Sequence, residues 1–260
     1  MSDVLLETIE DGVATLTMNR PEARNAFTRE NAGAKVNLNE KIQDLRERSE
    51  VSRLLHEMPK PTLAVIPGPA AGAGFSLAMA CDMRIAADDA KITTAFSKVG
   101  LSGDFGGSYF LTKLLGEAKA KELYFTADVV LGKEAEKIGM VNKSVPADEL
   151  PAAAAEMAKR LASLPTIAVG YMKKNINTAS EGTLSDVLDW EANQMIRSFE
   201  TEDHKGAAVA FVEKRAPEFK ASAQHAANHD AKTEFTRSFG QQECFRQTTR
   251  FVELDVDIVI

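Results

Sequence analysis

The stretch that decides the fold runs from residue 61 to residue 87, "PTLAVIPGPAAGAGFSLAMACDMRIAA". It opens with a short unbroken apolar run, "PTLAVIPG", of the kind that forms a buried strand in a parallel sheet. Glycines at 72 and 74 then make a turn, and a helix of small residues starts near Ala73. "MRIAA" is a second buried strand. Strand, helix, strand in this order predicts a right-handed crossover within a parallel sheet. The first amides of a helix lack internal partners and lie at the positive end of its dipole. Gly72 and Gly74 let a ligand come close to them, which suits an oxygen on which negative charge develops.

Outward from this unit the chain divides in two. Upstream, "VLLETIEDGVATLTMNRP" reads as a β-hairpin turning at Asp11-Gly12 and ending at Pro21. From Lys35 to Met58, Leu38, Ile42 and Leu45 share one helical face. Val51, Leu54, Leu55 and Met58 share another, out of phase, which predicts a break near Ser49. Downstream, "AKITTAF" reads as an exposed strand, "GEAKAKELYFTA" as a helix, and "KEAEKIGMVNKSVP" as a short helix followed by an extended piece. Helices are expected at about 148–163, 166–177, 184–200 and 202–215. The division is an α/β part over 1–145, a helical part over 146–220, and a tail over 221–260. The tail ends in a β-prone strip, "TTRFVELDVDIVI", expected either to lie unstructured or to add an edge strand to the sheet.

Composition narrows the partners. With 260 residues, 44% of them hydrophobic, the chain can bury a sizeable core. A net charge of −7 argues against nucleic acid or an anionic membrane as the main partner. Two cysteines, Cys81 and Cys244, give no disulfide framework and fit a reducing cytoplasm. The opening "MSDVLLETIEDG" lacks the basic-then-apolar order of a secretory signal, and no apolar run reaches the ~20 residues that cross a bilayer. His56, His204, His225 and His229 show no convincing metal-ligand spacing, so no metal is expected.

Three ligand chemistries compete for the glycine turn. A dinucleotide is one, but Leu77 stands where the third glycine of that fingerprint belongs. An acyl-serine is the second. "GFSLA" approximates a nucleophile elbow around Ser76, and Asp104 and His204 follow in hydrolase order, yet helices occupy the interval where strands are needed. A thioester carbonyl becoming an enolate is the third, and it needs only backbone donors and a placed acid or base. Against all three stands plain packing, since small residues also let a helix sit close to a strand. The acid on offer is in "KVGLSGDFGGSYF", where Asp104 lies among Gly100, Gly103, Gly106 and Gly107. It is either a proton-transfer group or the N-cap of the helix that begins after it.

Five motifs, taken in order, resemble the enoyl-CoA hydratase/isomerase (crotonase) superfamily: "LTMNRPEARNAF", "PKPTLAVIPGPAAGAGFSLAMACDMRIA", "FSKVGLSGDFGGSYFLTKLLG", "EAEKIGMVNKSVP" and "FETEDHKGAAVAFVEKRAPEFK". The match reaches about Lys220. It implies a crotonase-like ββα spiral core, a C-terminal helical region that builds a homotrimer or hexamer, and an acyl-CoA thioester substrate with no separate cofactor. It implies an oxyanion hole of two amides, one from Ala73 and the other from Ala32. Arg24 matches a position beside the CoA phosphates, and Lys214 is a second candidate for the nucleotide end. Where the hydratases carry their two glutamates this chain has Ser76 and Phe96, neither of which is a general base at neutral pH. Asp104 falls where the isomerase branches carry their acid, with Phe96 and Phe105 placed to desolvate it. The reading that follows is a double-bond isomerase. A hydratase using another acid, a CoA-binding protein without turnover, and a serine hydrolase through Ser76 are the alternatives.

One departure bears on the fold. Between "NAFTRE" and "NAGAKV" the resemblance calls for a helix, a strand and the loop carrying the first oxyanion amide, a unit of ~30 residues or more. This chain has no room for it, so the sheet is expected to lose an inner strand.

Overall fold

The computed structural model describes residues 5–20, 22, 25, 37–220 and 257–260. Arg24 and Ala32, like His225, His229 and Cys244, lie outside the described residues.

The predicted hairpin is present. β1 (Leu5–Glu10) pairs antiparallel with β2 (Val13–Met18), and Asp11 and Gly12 turn at φ 50° and 79°. The helical region after it breaks at Ser49, as its two stripes require, into α1 (Leu38–Arg48) and α2 (Glu50–Glu57). Ser49 Oγ donates to the Leu45 carbonyl at 2.8 Å, closing α1. Only α2 buries its stripe. Of the α1 face formed by Leu38, Ile42 and Leu45, Leu45 packs on the core, while Leu38 and Ile42 stay 72% and 58% exposed among the described residues.

The central crossover is built as its sequence dictates. β3 (Leu63–Ile66), wholly buried, leads through β4 (Ala70–Ala71) to α3 (Ala73–Ala80), every residue of which is buried. β5 (Met83–Ala87) then returns parallel to β3. Two buried cations lock this unit. Lys173 Nζ bridges Asp82 at 2.8 Å and donates to the Leu55 and Lys60 carbonyls at 2.8 and 3.0 Å. Arg84 Nε and Nη1 donate to the Met140 and Cys81 carbonyls at 2.9 and 2.6 Å. Lys173 is thus paired with a carboxylate, and the Arg84 guanidinium is held by main-chain carbonyls.

β6 (Lys91–Thr93) was expected to be exposed. It is instead the middle strand of a small second sheet, between β4 and β7 (Val130–Leu131), and Ile92 is fully buried. A 3-10 turn over Ser97–Val99 and a glycine loop lead to α4 (Gly107–Leu115) and α5 (Glu117–Thr126). α6 (Gly132–Lys137) precedes β8 (Lys143–Val145), which pairs parallel with β5. The helical region follows as α7 (Leu150–Ala162), α8 (Thr166–Glu181), α9 (Leu184–Phe199) and α10 (Glu202–Val212).

The tail corrects the sequence reading. Residues 257–259 form β9, an interior strand of the main sheet, whose order is β1-β2-β9-β3-β5-β8. β9 runs antiparallel to both neighbours, with Leu16 and Ala64 opposite Ile258 on either side. The gap left between hairpin and parallel strands is thus closed by a strand of reversed direction.

Candidate active site

The chain between β4 and α3 turns at Gly72, with φ 57° and ψ −121°, a conformation that a residue with a Cβ resists. The Ala73 amide in the first turn beyond it has no intrahelical acceptor. Ser76, one turn on, is fully buried, and its hydroxyl donates back to the Gly72 carbonyl at 3.1 Å. His204 sits exposed on α10, its ring 5.0 Å from that of Phe199. No hydrogen bond joins Ser76 to His204 among the described residues, and the hydrolase arrangement is not assembled.

The glycine loop explains why a lone acid stands among glycines. Gly100, Gly103, Phe105 and Gly106 all take positive φ, at 68°, 112°, 49° and 74°. This tight winding turns Asp104 inward. Gly106 is the N-cap of α4, with no side-chain capping bond, and Asp104 contributes only its carbonyl, which accepts from Gly107 N at 3.1 Å. The N-cap alternative for Asp104 is therefore not realised. Its Oδ1 is buried without a hydrogen-bond partner, and burial pushes the carboxyl up to about 6. The non-glycine left-handed residue, Phe105, adds a backbone cost of order 1–3 kcal/mol, in keeping with strain held at a site.

Phe96 and Phe105 are 5% and 4% exposed, which fits the desolvating role expected of them. A third aromatic was not singled out from the sequence. Tyr124, on α5, stacks on Phe96 with centroids 6.1 Å apart and planes 12° apart, and meets Phe75 of α3 edge-on at 6.5 Å. Its hydroxyl is buried and, like Asp104 Oδ1, without a hydrogen-bond partner. Burial first, and the Asp104 charge second, raise its pKa, with Ser76 opposing. Gly107 is what lets these groups converge. A Cβ there would collide with Ser76 Oγ and stand 2.7 Å from the Tyr124 hydroxyl. The one signal for Tyr124 in the sequence was a phenol beside Leu123 and one turn after Ala120, the buried positions of α5, so that its polar tip is carried toward the core.

Ser76, in the first turn of α3 after Gly72, Ala73 and Gly74, approaches Gly107 and the Tyr124 hydroxyl, while Phe96 stacks on Tyr124 and the Asp104 charge acts on it. Lys214 is apart from them. It is exposed beyond the end of α10 with φ 55°, and no ion pair or side-chain hydrogen bond ties it to that cluster. A separate apolar cleft of about 410 Å³ lies between α4 and α8, walled by His56, Tyr109, Phe110 and Met172. Asp82, Arg84 and Lys173 on its wall are those already bonded into the fold.

Comparison with known proteins agrees with this architecture. Residues 33–222 match the family described as enoyl-CoA hydratase/isomerase, and the chain belongs to that family. It is 31% identical to the 1,2-epoxyphenylacetyl-CoA isomerase of Escherichia coli K12, over 84% of this chain and 99% of the relative. It is 32% identical to the short-chain-enoyl-CoA hydratase of Clostridium acetobutylicum, over 83% and 96%. A crystal structure of an enoyl-CoA hydratase from Polaromonas sp. JS666 superimposes with a TM-score of 0.73 at 30% identity, covering 83% of this chain and 99% of that one. Each alignment takes in nearly all of a relative and a smaller share of this chain. The fold is therefore the α/β crotonase fold with a helical C-terminal region. No helix among the described residues is long and apolar enough to cross a membrane.

Proposed function

We propose that the protein moves the double bond of an acyl-CoA thioester, with Asp104 as the proton-transfer group. The supporting observation is that this half-buried carboxyl, raised to about 6, has an oxygen without a partner in a loop wound so as to hold it inward. A carboxylate with that pKa is ionised at neutral pH and basic enough to take a proton acidified by a thioester. The Ala73 N–H donates to the thioester oxygen, and Ala32 supplies the second amide. Asp104 takes a proton from the acyl chain, negative charge collects on the thioester oxygen, and Asp104 returns the proton at another carbon. Phe96, Phe105 and Tyr124 keep water from the enolate, which favours return of the proton over addition of water. In this reading Gly72 and Gly74 give the thioester access to the turn, Ser76 lies beneath it, and Arg24 and Lys214 are assigned to the phosphates of CoA. The reaction needs no cofactor beyond the CoA of the substrate, and its setting is the cytoplasm.

Hydration is the second reading. The two unpartnered oxygens, Asp104 Oδ1 and the Tyr124 hydroxyl, are an acceptor and a donor between which a water could be held. The apolar residues left on the surface of α9 and α10, among them Leu184, Ile196, Phe211 and Val212, support assembly into a trimer or hexamer.

The deciding experiment supplies a 3-enoyl-CoA and a 2-enoyl-CoA separately. The isomerase reading expects the first to become conjugated and the second to remain unhydrated. Hydration of the 2-enoyl-CoA with no action on the 3-enoyl isomer would replace it with the second reading.

A further inference from the structure

The place of β9 carries an inference independent of what the site catalyses. β2 and β3 run in the same direction, since β9 is antiparallel to each. They have no pairing with one another, and β9 supplies the partners for residues 14–17 on one side and 63–65 on the other. On one side Thr15, Leu16 and Thr17 face Val259, Ile258 and Asp257, and on the other Leu63, Ala64 and Val65 face the same three. The pairing extends one residue further, where Ile260 and Ala14 exchange hydrogen bonds of 2.8 and 3.0 Å. Ile258 is fully buried and Val259 is 9% exposed. β3 is also the strand whose continuation carries Gly72 and Ala73, so the gap borders the support of the site.

Nothing local aims β9 at this position. Its partners lie some two hundred residues and more away in the sequence, and no turn connects it to either. It enters the sheet as a peptide ligand enters a groove by β-augmentation, with main-chain bonds for affinity and alternate side chains for specificity. We propose that the gap between β2 and β3 is a strand-acceptor site and that residues 257–260 are its occupant, supplied by the same chain. The ligand class is an extended β-branched apolar strand. Beyond its end the groove opens into an apolar cavity of about 440 Å³ walled by Ile9, Val13, Leu16, Met58, Leu63 and Ile260. The site thus favours a bulky apolar residue at the last position.

The test removes residues 257–260 from the otherwise full chain and offers it a fluorescent synthetic peptide, LDVDIVI, the sequence of residues 254–260. The shortened chain is expected to melt at a lower temperature, to bind one peptide per chain saturably, and to recover its melting temperature when bound. The intact chain, its site filled, is expected to bind none. An unchanged melting temperature on deletion, or equal binding by both chains, would overturn the proposal. Should the shortened chain prove insoluble, the intact chain gives a second readout. Thr15→Cys with Val259→Cys, in a Cys81→Ala, Cys244→Ser background, places two thiols opposite each other at a non-hydrogen-bonded antiparallel pair. The Cα separation there is about 4.5 Å, within disulfide range. Mild oxidation should give a disulfide within one chain. No disulfide, or one joining two chains, would contradict occupancy by the chain's own strand.

Discussion

The start of α3 and the β2–β9–β3 seam are both buried and both close-packed, yet they are assembled in opposite ways. The first is made by consecutive residues, since β3, the Gly72 turn, α3 and β5 follow one another within 61–87. The second joins residues 13–18, 63–66 and 257–259. Laid against the first region, from the glycine loop and α5, are features that cost stability, namely the unpartnered Asp104 carboxyl oxygen, the unpartnered Tyr124 phenol and Phe105 in the left-handed region. At the seam the strands pair on both sides and fill with β-branched side chains. The contrast teaches that a buried carboxyl and phenol without partners are tolerated beside the start of α3, where chemistry is proposed, while the distant tail supplies the pairing across the seam.

Substitutions can separate the two. The largest effect belongs to the seam: Ile258→Ala should cost about 2–5 kcal/mol, the range for emptying a buried isoleucine site. Chemical denaturation measures it, and a loss below half a kilocalorie would mean that β9 is not part of the core. Next is Gly107→Ala, whose methyl meets Ser76 Oγ and the Tyr124 hydroxyl. Overpacking of this kind costs about 1–3 kcal/mol and should displace Tyr124. A wild-type melting curve would show that the two helices do not approach as described.

Asp104→Asn should do the reverse and stabilise. The carboxyl's folded pKa, about 6, lies above its unfolded 3.8, so the fold disfavours the ionised form. The penalty is absent below pH 4, grows as pH rises through 6, and is complete above it, at up to about 2–3 kcal/mol since one pKa unit is about 1.4 kcal/mol. Asparagine carries no such charge. The variant should therefore melt higher than wild type at pH 8 and show no such advantage at pH 4. Had Asp104 been a helix cap, the substitution would bring no gain at pH 8. The smallest effect is that of Tyr124→Phe, which removes a buried hydroxyl without a partner. A change within about 1 kcal/mol, toward greater stability, is expected. A clear destabilisation would mean that the hydroxyl has a structural partner.

The same contrast explains what the sequence could tell. The β3–α3–β5 unit, the hairpin and the break at Ser49 were legible because each is encoded by neighbouring residues through apolar runs, turn pairs or helical phase. The position of β9 was not, because "VDIVI" states a preference for strand and says nothing about its partner. β6 was misjudged for the same reason, its burial depending on β4 and β7. The apolar face of α1 was legible as a pattern, but not which of its residues finds a partner: Leu45 packs on the core while Leu38 and Ile42 stay exposed. At the site, Ala73, Ser76 and Asp104 were found in the sequence. The choice between cap and buried acid was not legible, because it rests on the positive φ of Phe105 and Gly106 and on Tyr124 arriving from α5.

The most direct test of the account is the pH dependence of 3-enoyl-CoA isomerisation by the wild-type protein and by Asp104→Asn. The wild-type kcat/KM should fall as pH drops below about 6, following protonation of Asp104. The variant, folded and at least as stable at pH 8, should be slower by about 10²–10⁴-fold, the usual contribution of a general acid–base group. An Asp104→Asn protein that isomerises the substrate at the wild-type rate would contradict the assignment of Asp104 as the proton-transfer group.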